Sequence, residues 1–277
     1  MPELPEVETV RRGLLPLLVG RRVVGVRVRD RRLREPIAPA ALGRLRGARV
    51  IDIRRRSKYL LVETRDEAGA ERTLLVHLGM TGQLWVCDRD RPARPHEHVV
   101  LALDDGRDLR FADPRRFGMI HVLRSDRVDR HPRLSGLGPE PLDDGLSAAA
   151  LHRGTRHRRK PIKNFLMDTR SIAGIGNIYA CEALHRAAVR PTRAVGRIAL
   201  PAWERIVADV RAVLQDAIRA GGTTLQDFRN AEGEVGYFRI DLAVYEREGE
   251  PCRRCGAKIR RIVQAGRSSF YCPGCQL

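Results

Sequence analysis

Cys252-Arg253-Arg254-Cys255, sixteen further residues, then Cys272-Pro273-Gly274-Cys275 make up the segment from which the architecture is most readily read. Two C-x2-C pairs at this separation suit a closed tetrahedral site in which four thiolates hold one structural zinc ion. Gly256 and Gly266 supply turns and Lys258 to Val263 reads as strand, so a hairpin should join the pairs into a zinc ribbon. A disulfide framework is the alternative. It is disfavoured because the remaining cysteines, Cys87 and Cys181, are isolated and no secretory segment is read at the start of the chain. The ribbon is too small to bury a core of its own, and the metal compensates. Arg253, Arg254, Lys258, Arg260, Arg261 and Arg267 would make the same hairpin a cationic surface.

Outward from the ribbon, 277 residues leave room for two larger domains. Fifty-two basic against 34 acidic residues give a net charge of +18 and a pI near 10.9, which point to a polyanionic partner. No run of about 18 apolar residues exists to span a membrane. The basic residues are spread along the chain rather than gathered on one amphipathic helix, which argues against a membrane surface. Of the basic residues 48 are arginine, leaving only Lys58, Lys160, Lys163 and Lys258. Where a site needs a compact or titrating cation arginine is no substitute, so each lysine draws scrutiny.

Periodicity divides the chain. Leu4, Val7, Val10, Leu14 and Leu17 recur at helical spacing, with Glu3, Glu6 and Glu8 early, Arg11 and Arg12 later, and Gly20 as a stop. Short apolar runs follow at Val24 to Val28, Val50 to Ile53, Tyr59 to Val62, Thr73 to Leu78, Leu84 to Val86, Val99 to Leu103, Leu109 to Phe111 and Met119 to Leu123. Short strands so spaced predict an antiparallel sandwich or flattened barrel, with Asp104-Asp105-Gly106 turning one hairpin. Residues 125–144 read as a linker. Beyond it the helical period returns, most clearly from Pro201 through Trp203, Ile206, Val210 and Leu214 to Gly221-Gly222. The expected division is therefore 1–124, a linker at 125–144, a helical domain at 145–240 carrying a glycine-rich loop, and the ribbon at 241–277. The fold class is α+β multidomain.

Met1-Pro2-Glu3-Leu4-Pro5-Glu6 allows two readings. A proline and acids at a helix start complement the first turn and its dipole. Alternatively, removal of Met1 would expose the secondary amine of Pro2, a nucleophile toward a carbonyl-like carbon, with Glu3 and Glu6 placed to move protons or orient a substrate.

Other motifs stand downstream: Ser57-Lys58-Tyr59-Leu60-Leu61, His77-Leu78-Gly79-Met80, Asp113-Pro114-Arg115-Arg116-Phe117-Gly118, Gly174-Ile175-Gly176-Asn177-Ile178-Tyr179 and Gly266-Arg267-Ser268-Ser269-Phe270-Tyr271-Cys272. With the N-terminal run and the cysteine spacing they closely resemble, in order and over essentially the whole chain, the formamidopyrimidine-DNA glycosylase family. The resemblance implies a helix-started β-sandwich, a helix-two-turns-helix domain and a zinc ribbon. It also implies excision of oxidised purines from double-stranded DNA by a bifunctional glycosylase and lyase, acting as a cytoplasmic monomer with no membrane partner.

The resemblance further implies particular roles. Pro2 attacks the sugar C1′, Glu3 assists ring opening and proton transfer, Glu6 organises the site, and Lys58 sits at the damaged nucleotide's phosphate. Met80, Arg115 and Phe117 match the trio that fills the space left by the extruded base. His96, Lys163, Asn177 and Arg267 match phosphate contacts, with His98 a near neighbour that family position alone separates from His96. Asp168 is expected to order the domain junction, and Cys181 to be a core thiol. The chain departs from the family at Glu234-Val235, where a proline is usual, and at Glu246, where glycine is frequent. The first departure falls in the loop that caps the extruded base, so base preference is the property it touches. The alternatives are a sister glycosylase for oxidised pyrimidines, of the endonuclease VIII type, and a non-enzymatic zinc-ribbon protein that binds damaged DNA.

Overall fold

The computed structural model describes residues 2–222 and 242–277. Two compact units are present. One runs from the N-terminus to Ser135 and takes in Gly221 and Gly222; the other comprises Gly136–Ala220 and the C-terminal segment to Leu277.

The first unit opens with α1 (Leu4–Leu18), whose Val7, Val10, Leu14 and Leu18 are almost fully enclosed. β1 (Val23–Val28), the short α2 (Pro39–Gly43), β2 (Arg49–Arg56), β3 (Tyr59–Arg65), β4 (Glu71–His77), β5 (Gln83–Asp88), β6 (Glu97–Leu103), β7 (Arg107–Ala112) and β8 (Met119–Arg124) follow. The strands form two four-stranded antiparallel sheets, ordered β1-β6-β7-β5 and β2-β3-β4-β8. Alternate residues such as Leu60 and Val62, Leu74 and Val76, and Leu109 and Phe111 point into one core shared with α1. This is a β-sandwich with a helix packed against it. Each expected apolar run is a strand; α2 carries no periodic signal and was not foreseen. Gly106, at φ 84, turns the β6–β7 hairpin, and Gly20, at φ 86, follows the end of α1.

The second unit holds α3 (Ala148–Thr155), α4 (Ile162–Leu166), α5 (Asn177–Arg186) and α6 (Leu200–Arg219), then β9 (Arg260–Gln264) and β10 (Arg267–Tyr271). α6 buries Trp203, Ile206, Val210 and Leu214 on one face, and Trp203 meets Phe165 edge-on at 5.7 Å. Cys181 packs with Val244, Ile259 and Phe270 beneath the cysteine cluster, as a core thiol. No helix among the described residues is long and apolar enough to cross a membrane.

Candidate active site and nucleic-acid interface

Pro2 is buried at the mouth of α1. Glu3 is its N-cap residue, and Glu3 and Glu6 form a reciprocal capping box in which the Glu3 backbone N–H donates to Glu6 Oε2 at 2.8 Å. Both carboxylates are enclosed, at 2% and 0% exposure. The positive end of the helix dipole, and the Glu6 backbone N–H that donates to the Glu3 side chain within the capping box, favour carboxylates there. A Cβ on Gly222, at φ 90, would stand 3.2 Å from Glu6 Cγ, so glycine is what fits against this carboxylate. Met1 lies outside the described residues.

Lys58, also buried, occupies the two-residue turn between β2 and β3, where Ser57 adopts φ 56. The turn is tied to α1 through Arg55, which donates to the Ser57 carbonyl at 2.9 Å and to Glu8 Oε2 at 3.2 Å. Glu8 also receives Arg11 and Arg12. Burial pushes the Glu8 carboxyl up, but these guanidinium hydrogen bonds outweigh it and hold the group below the usual range. On β4, the His77 imidazole is brought down to about 4 by burial and then by the positive charge of Lys58. Neutral His77 accepts the Gly79 N–H at Nδ1, 3.0 Å away, and so fixes the turn leading to Met80. Glu8 was read from the sequence only as an acid of the first helical turn, and Arg55 did not stand out.

Met80 is half-buried, whereas Arg115 and Phe117 are exposed, with the Arg115 guanidinium 5.0 Å above the Phe117 ring. A Cβ on Gly79 would come within 2.5 Å of the backbone at Phe117 and Gly118, so the two loops carrying the trio lie back to back. The two histidines separate cleanly. His98 is 1% exposed with Nε2 on the Asp113 carbonyl at 2.9 Å, while His96 is exposed at φ 64.

In the second unit, α5 starts at Asn177 after Gly174 and Gly176, presenting the N–H groups of its first turn. Asn177 Nδ2 donates to the Ser268 carbonyl at 3.0 Å. The β9–β10 hairpin turns at Ala265 and Gly266, both at positive φ, and sets exposed Arg267 at the first position of β10. Lys163, expected at a phosphate, is 0% exposed and donates to the Ser268 carbonyl at 2.9 Å and Ser269 Oγ at 2.6 Å. An enclosed ammonium held by these acceptors braces the ribbon; it does not face solvent. Asp168 accepts from Lys160 Nζ at 2.7 Å, which accounts for another of the four lysines.

The Sγ atoms of Cys252, Cys255, Cys272 and Cys275 all lie within 4.8 Å of one another. Cys252 and Cys275 are 3.8 Å apart, and Cys255 and Cys272 3.4 Å. These separations are far longer than a disulfide. They match the edge of a tetrahedron with zinc–sulfur bonds of about 2.3 Å, about 3.8 Å long. A Cβ on Gly274 would stand 3.1 Å from Cys255 Sγ, so the chain passes close beneath the thiolates. Burial and then the neighbouring sulfurs push Cys275 up to about 12, a mutual penalty that a divalent cation removes.

Comparison with known proteins covers the whole of this arrangement. The formamidopyrimidine-DNA glycosylase N-terminal domain matches residues 1–120, the H2TH domain of the same family residues 137–229, and a zinc finger found in FPG and IleRS residues 249–277. A formamidopyrimidine-DNA glycosylase from Acidithiobacillus ferrooxidans is 50% identical over 276 residues, and one from Methylococcus capsulatus 49% over 277, each covering both chains completely. The chain belongs to the formamidopyrimidine-DNA glycosylase family. Its fold superposes on the Lactococcus lactis Fpg in complex with abasic-site DNA with a TM-score of 0.89 at 32% identity, covering 100% of each chain. With MutM (Fpg) from Thermus thermophilus the TM-score is 0.85 at 41% identity, covering 99% of this chain and 98% of that one. The four cysteines are thus a zinc-finger ligand set whose geometry fits one metal ion. The departure at Glu234-Val235, within the expected capping loop, lies outside the described residues. The departure at Glu246 is visible: its backbone sits at φ 59, a conformation that favours glycine.

Glu182, unremarked in the sequence, anchors the segment entering the ribbon. Its carboxylate accepts from the Ala243, Val244 and Tyr245 N–H groups at 2.8, 2.9 and 2.8 Å. No local pattern marks it, because its partners are more than sixty residues away.

Proposed function

We infer that this chain excises oxidised purines from duplex DNA and cleaves the strand at the resulting abasic site, through a Schiff base on Pro2. The observation that carries the reading is a proline followed by two enclosed carboxylates at the start of a capped helix, in a chain matched to the family along its full length. With Met1 removed, the Pro2 nitrogen lone pair attacks C1′ of the damaged nucleotide. The glycosidic electrons leave with the base, which takes up a proton, and the sugar ring opens to an iminium ion. Glu3 carries protons to and from the sugar. The iminium acidifies the C2′ hydrogen, so loss of that proton expels the 3′ phosphate; a second elimination expels the 5′ phosphate, and hydrolysis of the Schiff base restores the amine.

Glu6 receives the Glu3 backbone N–H and fixes the approach of Pro2. Lys58, compact and cationic, holds the phosphate of the damaged nucleotide. Met80, Phe117 and Arg115 fill the gap in the stack, the arginine facing the orphaned base. His96, Asn177 and Arg267 serve the backbone phosphates, and Lys163 supports them through Ser268. The zinc, when bound, staples the hairpin that carries Arg267. The protein acts as a monomer in the cytoplasm, organised as a sandwich at 1–124, a linker at 125–144, a helical domain at 145–240 and a ribbon at 241–277.

Incubation with a duplex bearing 8-oxoguanine opposite cytosine tests the reading. Free base and a one-nucleotide gap are expected. Intact duplex after prolonged incubation, with binding retained, would leave only a damage-binding protein.

A further inference from the structure

Asp113 is fully enclosed and has no ion-pair partner among the described residues, although it stands in a chain crowded with arginine. Its carboxylate receives neutral donors from two loops. Oδ1 accepts the Thr81 hydroxyl at 2.6 Å, and Oδ2 accepts the Gly118 N–H at 2.6 Å. The Thr81 oxygen in turn accepts the Arg115 N–H at 3.2 Å, so one hydroxyl bridges the loop that carries Met80 and the loop that carries Arg115 and Phe117. The Asp113 backbone continues the pattern. Its N–H donates to the His96 carbonyl at 3.1 Å, and its carbonyl accepts from the Arg116 N–H at 3.2 Å and His98 Nε2 at 2.9 Å. Arg116, at φ 59, is held from its other side by Asp30 at 2.8 Å.

Such an arrangement exceeds what one turn needs. A buried carboxylate is costly to desolvate unless its acceptor positions are filled, and here they are filled only when both loops are in register. Loop tips that are driven into a base stack need an exposed apolar residue, and Phe117, at 44% exposure, has that character. Mobile tips would lose that ordering entropy on every insertion.

We propose that Asp113 and Thr81 are positioning residues that lock the Met80 loop and the Arg115–Phe117 loop into one pre-organised wedge. The proposal rests on the reading of those three side chains as the elements that fill the space left by the extruded base. The pair does not touch the reacting atoms; it sets how readily an intact, stacked base is taken out of the helix. Chemistry at a site already lacking its base depends on it far less.

The test compares two duplexes, one with 8-oxoguanine opposite cytosine and one with a preformed abasic site, in single turnover. Thr81→Val keeps the shape but removes both hydrogen bonds, and should lower excision about tenfold or more while abasic-site cleavage stays within about threefold. Thr81→Ser, which restores the hydroxyl, should recover excision to within about threefold. Asp113→Asn presents an amide to one of the two donors and should act like Thr81→Val, provided its melting curve shows a folded protein. Phe117→Ala separates the two ideas. If it is impaired in excision while Thr81→Val is not, the lock is refuted and the wedge stands; if it excises normally, the wedge reading falls and the lock with it. Parallel loss on both duplexes in Thr81→Val, or no rescue by serine, would mean that the pair merely stabilises the fold and would overturn the proposal.

Discussion

Replacing Lys163 by methionine separates a brace from a phosphate contact. Among its interactions the ammonium donates hydrogen bonds at 2.9 and 2.6 Å to the Ser268 carbonyl and Ser269 Oγ of the ribbon. Hydrogen bonds to a charged donor contribute about 1.5–3 kcal/mol each, so these two account for about 3–6 kcal/mol of the interaction removed. Methionine fills most of the volume and no longer requires a desolvated ammonium, which offsets several kcal/mol. The net loss should be about 1–3 kcal/mol, or a melting midpoint lower by several degrees in a unit of this size. The assay is thermal unfolding beside duplex binding at several salt concentrations. A direct phosphate contact would contribute about 0.9 to the log–log salt slope. The brace predicts a lower midpoint, faster loss of zinc to a chelator and an unchanged slope. A slope reduced by about one with the midpoint unmoved would refute it.

Other consequences follow from particular residues. Glu246 pays the strain of a left-handed backbone at φ 59, so Glu246→Gly should stabilise the second unit by about 0.5–1 kcal/mol in denaturant unfolding; a loss of stability would show that its side chain matters instead. Arg115→Ala should remove about 1–3 kcal/mol of discrimination and erase most of the advantage of cytosine over adenine opposite the lesion, whereas Glu3→Gln should bind damaged duplex nearly normally and release little base. Uniform slowing by Arg115→Ala, with preference intact, would exclude a base contact. The Glu8 carboxyl is held below its ordinary value of 4.5, so its stabilising ion pairs are fully present above that pH and are lost as pH falls through the lower folded value. The stability gap between the protein and Glu8→Gln should therefore be constant from about pH 6 to 7 and narrow below about 4.5; a gap that widens on acidification would reverse the sign of the argument.

Much of this was legible because it is local. Period-two runs marked the eight strands of the sandwich, and Pro201 and Gly221 bracketed α6, since burial on one face imposes a repeat on the chain. The cysteine spacing marked the ribbon because a tetrahedral site constrains short loops. What stayed hidden depends on partners far apart in sequence. Family position alone separated His96 from His98, and the physical reason becomes visible only when His98 is seen on the Asp113 carbonyl, fifteen residues away. The resemblance implied a phosphate contact for Lys163, yet its acceptors lie on a hairpin more than a hundred residues later. Thr81 and Asp113 look ordinary in isolation and gain meaning only as a pair. Glu246 shows the opposite case: the sequence marked the departure, and the backbone supplied its physical cost.

In the proposed reaction everything turns on the secondary amine of Pro2 as the nucleophile. Borohydride reduction of the protein turning over an 8-oxoguanine duplex, followed by proteolysis and mass spectrometry of the cross-linked peptide, tests it directly. One adduct is expected, on the N-terminal peptide at Pro2, in protein whose intact mass shows Met1 removed. An adduct mapped to Lys58, or trapping at full efficiency by protein that retains Met1, would contradict it.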